Sequence, residues 1–221
     1  MASETRTAAE RRTVATPVGD ARITWHTADR PRAVLALGHG AGGGIEARDL
    51  VALAGALPAR GVTVALVEQP WRVAGRRLAP APRTLDTAWT ALWPALARWA
   101  GAGVPVVAGG RSAGARVACR TAREVGAHAV VALAFPLHPP GRPERSRAAE
   151  LTDAGVPTLV VQGSRDPFGR PAEFPDGTDL VEVPGGDHGF AVPRSAPVDA
   201  TGALAAAATE IGDWLTARIP A

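Results

Sequence analysis

A chain of 221 residues, 46 % hydrophobic and 20 % charged, is long enough for one domain with a large core and too short for two comfortable ones. Its net charge is only +3, all 24 basic residues are Arg and no recognition motif is present, so nothing in the balance argues for nucleic acid. One cysteine, Cys119, rules out an internal disulfide or a Cys-rich metal site, and no apolar run approaches the roughly 18 residues of a membrane span, which leaves a cytoplasmic protein as the expectation.

Residues 1–12 are charged, lack an apolar centre and read as a flexible tail rather than a secretory signal, followed by a single domain over 13–221. Residues 12–16 and 21–27 alternate weakly and suit an antiparallel hairpin around Pro17-Val18-Gly19-Asp20. Beyond them, compact apolar runs alternate with helical patterns. Strands are expected at 33–37, 62–67, 104–108, 129–135, 158–162 and 180–183, and helices at 46–60, 85–100, 113–125, 146–153 and 202–218. Pro94 should kink the helix over 85–100 or shift its start. Short continuous apolar strands between helices predict a mostly parallel sheet with helices on both faces, a three-layer α/β domain. Ligands of such open sheets bind beyond the carboxyl ends of the strands. His39, Ser112, Asp166 and His188 each follow a predicted strand.

Gly110-Arg111-Ser112-Ala113-Gly114 fits G-x-S-x-G between the strand ending at Ala108 and the helix starting at Ala113. A turn this sharp strains its central residue, lifts the serine oxygen above the sheet and sets a helix N-terminal amide beside it. The glycines, lacking Cβ, let strand and helix pack closely around it.

A serine hydroxyl needs a base and a group that orients the base. Of five histidines, His188 in Gly185-Gly186-Asp187-His188-Gly189-Phe190 is the best placed base; His26 and His128 read as structural, while His138 lies in a Pro-rich loop that can approach the site. Asp166, just past a strand and stiffened by Pro167, is the orienting acid, its structural reading being a loop cap. Asp187 is too close in sequence to serve the His188 ring. The order Ser112, Asp166, His188 is that of an elbow hydrolase. Oxyanion donors are expected from the Ala113 amide and, in the glycine-rich loop after residue 37, the Ala41 amide. That loop lacks the rest of a nucleotide-binding fingerprint. Candidate substrate contacts are His39, Gly40, Arg111, His138 and, in the Arg- and Pro-rich loop 69–83, Trp71 and Arg72, whose guanidinium can grip a carboxylate.

With these pieces in view, residues 13–219 resemble an α/β-hydrolase. They are similar in particular to a small, lid-less, dienelactone-hydrolase-like branch that includes a testis-expressed protein and a non-catalytic-looking subunit of a histone acetyltransferase complex. The matching segments are Gly38-His39-Gly40-Ala41-Gly42-Gly43, the run from Gly109 to Arg116, Phe135 to Pro143, Gly163 to Gly169, and Asp187-His188-Gly189-Phe190. The resemblance implies the α/β-hydrolase fold and Ser112, Asp166 and His188 as its triad. Dienelactone hydrolases proper carry a cysteine nucleophile where this chain has serine. Only residues 136–165 separate the strand ending at Phe135 from Asp166, which leaves no room for a lid domain.

These features point to a serine hydrolase that cleaves a small carboxylic ester or thioester through an acyl-enzyme, with neither metal nor organic cofactor, no membrane or nucleic-acid partner, and an unassigned oligomeric state. A non-catalytic scaffold on the same fold and an acyltransferase using the same residues stand as alternatives.

Overall fold

The computed structural model describes residues 9–219. At its centre is one eight-stranded sheet in the order β1 (Glu10–Thr16), β2 (Gly19–His26), β4 (Val62–Glu68), β3 (Ala33–Gly38), β5 (Val106–Arg111), β6 (Val130–Leu133), β7 (Thr158–Gly163) and β8 (Asp179–Val183). The β1–β2 pair is the expected hairpin, β2 runs antiparallel to β4, and every other neighbour is parallel. Glu10, Arg11 and Arg12 belong to β1 and pair with Trp25, Thr24 and Ile23, so the end of the expected tail is strand. Arg12 is further held by Trp25 and Trp99, whose rings its guanidinium covers. Residues 1–8 of that tail lie outside the described residues.

The central strands are apolar on both sides because both faces are covered. In β3, Val34 and Ala36 enter one layer and Leu35 and Leu37 the other. The first layer is completed by Trp89, Leu92 and Leu96 of α3 (Pro82–Ala100) and by Ala115 and Val117 of α4 (Ala113–Val125). The second takes Leu50 and Leu53 from α1 (Arg48–Ala56), and Leu204, Ile211 and Leu215 from α6 (Ala200–Thr216). This is the predicted three-layer α/β arrangement.

Boundaries move where local chemistry outweighs periodicity. Pro82 starts α3 ahead of residue 85, since a first-turn proline lacks only an amide that would have no partner, and the helix runs on through Pro94. The pattern over 46–60 divides into α1 and a 3-10 turn, Leu57–Arg60. Within 69–83 lies a short helix, α2 (Pro70–Val73). Between β6 and β7 there is only a 3-10 turn and α5 (Ala148–Thr152), so no lid is present. Among the described residues no helix is long and apolar enough to cross a membrane. From β3 the chain passes to β4 on one side and later returns to β5 on the other. That switch point opens a crevice between the ends of β3 and β5.

Candidate active site

The elbow forms at that crevice. Ser112 adopts φ 53° and ψ −109°, a conformation rare for a residue with a side chain. It is imposed from both flanks: the Ser112 amide donates to the Leu133 carbonyl at 2.9 Å, and its carbonyl accepts from the Arg116 amide at 3.2 Å. Close approach explains the glycines. A Cβ on Gly114 would lie 2.5 Å from the Gly38 carbonyl oxygen, and one on Gly110 would lie 2.6 Å from the Gly114 carbonyl carbon. The strand β3, the strand β5 and the start of α4 therefore meet backbone to backbone.

Two distal loops bring the other groups. His188 Nε2 stands 3.0 Å from Ser112 Oγ, while its Nδ1 stands 2.8 Å from Asp166 Oδ2. With Nδ1–H donating to the carboxylate, Nε2 is free to accept the serine proton. Asp166 is fully buried. Its Oδ1 accepts from the Phe168 amide at 2.8 Å, and its Oδ2 also accepts from Gln162 Nε2 at 2.9 Å. Gln162, which the sequence reading passed over as a strand residue, braces this carboxylate and ties it to the Phe135 and Gly169 carbonyls. Its signal was a polar side chain at a buried position of β7, and such a residue must find partners. Phe168 covers the His188 ring at 4.3 Å between centroids. Asp187 does not reach the ring; its Oδ1 accepts the Gly189 and Ala191 amides and shapes the turn that presents His188.

The loop after β3 is held by His39. Its Nδ1–H donates to the Gly40 carbonyl at 2.9 Å, and its Nε2 accepts the Gln69 amide at 3.1 Å. Burial lowers its pKa, keeping the ring neutral as this pairing requires. Gly40 lies against the nucleophile, since a Cβ there would come 3.5 Å from Ser112 Cβ. Among the described residues, neither the Ala41 nor the Ala113 amide donates to another group. Both residues line a cavity of about 10 Å³ together with His39, Gly40 and Gly114. Such a cavity has room for a single oxygen-sized group.

The remaining candidates divide by what they touch. Trp71 packs on His39, with ring centroids 5.4 Å apart, and lines the same cavity. Arg72 faces Glu46 at 3.4 Å. His138 is occupied by Glu173, at 3.0 Å from Nε2, which raises its pKa, and by the Pro139 carbonyl; its backbone amide supports the Phe168 carbonyl of the Asp166 loop. Arg111, in the elbow itself, keeps its Nη1 beside Gly40, 3.1 Å from where a Cβ on that glycine would lie. Its Nη2 donates to the His188 carbonyl at 2.9 Å, and its Nε lies 3.3 Å from Asp49 Oδ2. Asp49 is buried on α1, and burial raises its pKa against the pull of Arg111. The Asp49–Arg111 tie had no sequence signal, because the two residues are far apart in the chain and on elements that meet only through the sheet.

The fold is shared widely. A lid-less α/β serine hydrolase from Xanthomonas campestris superposes with a TM-score of 0.75 at 19 % identity, covering 97 % of each chain. A dienelactone hydrolase from Anabaena variabilis matches with a TM-score of 0.71 at 20 % identity over 96 % of this chain and 99 % of its own. A serine hydrolase homologue from Coxiella burnetii does so with a TM-score of 0.71 at 15 % identity, over 95 % and 98 %. A search of the curated proteins found no match. A family model described as an alpha/beta hydrolase domain matches residues 31–216, the span from just before β3 to the end of α6. With the elbow at the switch point and that model covering most of the chain, the protein belongs to the alpha/beta hydrolase family.

Proposed function

We propose that the protein is a serine hydrolase that cleaves small esters or thioesters through an acyl-enzyme on Ser112. The observation that carries this reading is the hydrogen-bonded line Ser112 Oγ, His188, Asp166, at 3.0 and 2.8 Å, ending on a strained elbow. His188 Nε2 takes the serine proton as Oγ attacks the carbonyl carbon. The oxygen of the tetrahedral intermediate acquires its charge in the small cavity, where the Ala41 and Ala113 amides donate to it. Collapse breaks the bond to the leaving group, which takes the proton from His188, and Asp166 steadies the imidazolium in between. Water then repeats the cycle on the acyl-enzyme and returns Ser112. The crevice has no lid over it, which favours accessible esters over long lipids. The loops 38–43, 135–143 and 163–169 further resemble those of the small dienelactone-hydrolase-like branch, and the reading is of a cytoplasmic enzyme acting on small molecules.

A fluorophosphonate probe tests this directly. Rapid labelling of the native protein, lost in Ser112→Ala and His188→Ala, is the expected result. A folded protein that does not label would sink the mechanism and move the scaffold reading to the front.

A further inference from the structure

Beside the nucleophile stands a donor that the fold leaves unused. The Arg111 guanidinium lies against both of the loops that flank Ser112. Its Nη2 donates to the His188 carbonyl at 2.9 Å and is 3.6 Å from where a Cβ on Gly189 would stand. Its Nη1 is 3.1 Å from the corresponding point on Gly40, and Ser112 Cβ is 3.5 Å from that same point. One small substrate joined to Ser112 can therefore also reach Nη1.

Nη1 meets no acceptor among the described residues. It is also not one of the buried polar atoms left without a partner, so it keeps a face open to solvent. The group is held in place, because Nε lies 3.3 Å from Asp49 Oδ2 and Nη2 is tied to His188. A donor fixed at two corners and open at the third is preorganised for a ligand. Arginine only donates, so the partner is an oxygen acceptor. Asp49 already supplies the counter-charge, and Asp166 holds a second carboxylate behind His188, so an uncharged carbonyl suits the position better than a further anion. The part of the substrate that meets it follows from the base. His188 Nε2 hands its proton to the leaving atom, which places the leaving group beside His188, the residue that Arg111 itself holds.

We propose that the leaving group of the substrate carries an uncharged carbonyl a few bonds from the scissile atom, and that Arg111 Nη1 donates to it. This rests on the serine-hydrolase reading above, and the test separates the two. The butyryl thioester of N-acetylcysteamine, whose thiol arm holds an amide carbonyl, is compared with two others. That of pentanethiol has the same chain length without the carbonyl, and that of 3-mercaptopropionate ends in a carboxylate. Released thiol is read with Ellman's reagent, and each kcat/KM is divided by the hydroxide-catalysed rate of the same thioester. The amide thioester is expected to exceed the pentanethiol one by about tenfold, the worth of one hydrogen bond from a charged donor, and the carboxylate to gain less. Arg111→Leu, combined with Asp49→Asn so that no buried charge is left alone, should bring that ratio close to unity. Gly40→Ala, whose methyl would stand between Nη1 and Ser112, should do the same. Loosening the His188 loop slows all the thioesters alike, so the ratio reports the contact with substrate and not the tie to His188. A native protein that labels with fluorophosphonate yet shows no preference, a preference that survives both variants, or a larger gain for the carboxylate would overturn the proposal. A native protein that does not label at all removes the hydrolase reading and this proposal with it.

Discussion

Replacing Arg111 by Ala removes one guanidinium from two places at once. On one side it leaves the Asp49 carboxylate, whose side chain is only 3 % exposed, without its counter-charge at 3.3 Å. Breaking a buried ion pair by deleting one partner costs about 3–5 kcal/mol, and because the Arg111 side chain is 18 % exposed the lower end applies. At about 3 kcal/mol the melting temperature of a domain this size falls by roughly 6–12 °C. The sign of the pH dependence is fixed by Asp49. Burial already raises its pKa and Arg111 opposes that rise, so in Arg111→Ala the folded carboxyl holds its proton to still higher pH. The stability deficit of the variant is therefore largest where the Asp49 carboxyl is ionised and shrinks as the solution is acidified, as the carboxyl protonates and the lone charge disappears. On the other side the His188 carbonyl loses its tie at 2.9 Å, while Asp187 still holds the turn through the Gly189 and Ala191 amides. A partial loosening worth about 1.4 kcal/mol is a tenfold fall in kcat/KM. Urea melts at pH 5 and 7, together with ester kinetics, measure both effects. Adding Asp49→Asn to Arg111→Ala should restore most of the stability and none of the activity, whereas Arg111→Lys should recover part of each. Arg111→Ala that melts like the native protein at pH 7 and keeps its full rate would refute the account.

Other residues give independent expectations. Gln162→Leu deletes one donor from Asp166 Oδ2 and should lower kcat by about tenfold with little change in KM, since it acts on the orientation of His188 rather than on substrate. His39 has its pKa lowered by burial, so below its ordinary 6.5 the unfolded chain takes up a proton that the folded ring resists; stability falls as the solution is acidified through that point, and His39→Gln should flatten this part of the pH–stability curve. Gly114→Ala drives a methyl to 2.5 Å from the Gly38 carbonyl oxygen and should cost at least about 3 kcal/mol in a denaturant melt, with loss of labelling at Ser112. Cys119 is 1 % exposed and its thiol is pushed up to about 12 by burial, so Ellman's reagent should leave it untouched in the native protein and react on unfolding; reaction at native rates comparable to a free thiol would contradict its placement.

The sheet was legible because β3, β4, β5, β6 and β7 are buried on both faces and therefore read as unbroken apolar runs. Ser112 and Asp166 stood out for a related reason, each being a polar residue just beyond such a run, and His188 because it lies in a glycine-bracketed turn after the last strand. The supports of these residues were not legible. Asp49, Gln162 and Gln69 sit at buried positions where polarity alone announces only that some partner exists, and the partner is fixed by how α1, β7 and the β4–α2 connection meet neighbours distant in sequence. Arg111 was read as a substrate contact because it lies within the elbow motif. Its position at the end of β5 sets its Nε against Asp49 and its Nη2 on the His188 carbonyl, ties that the motif alone did not announce. His39 and His138 were both read as candidate substrate contacts, and the structure accounts for their ring nitrogens inside the fold.

The order of the strands also sets a timetable. Ser112 and the loop carrying Ala41 come from neighbouring strands at the middle of the sheet, whereas Asp166 and His188 arrive on its far edge through β7 and β8. As the chain emerges during synthesis, the residues of the elbow are made before those of β7 and β8, whose loops bring its acid and base. A chain ending short of residue 188 thus lacks the base that activates its serine. Reactivity toward a fluorophosphonate should switch on only once the β8 edge has docked, which makes that probe a reporter of completed folding.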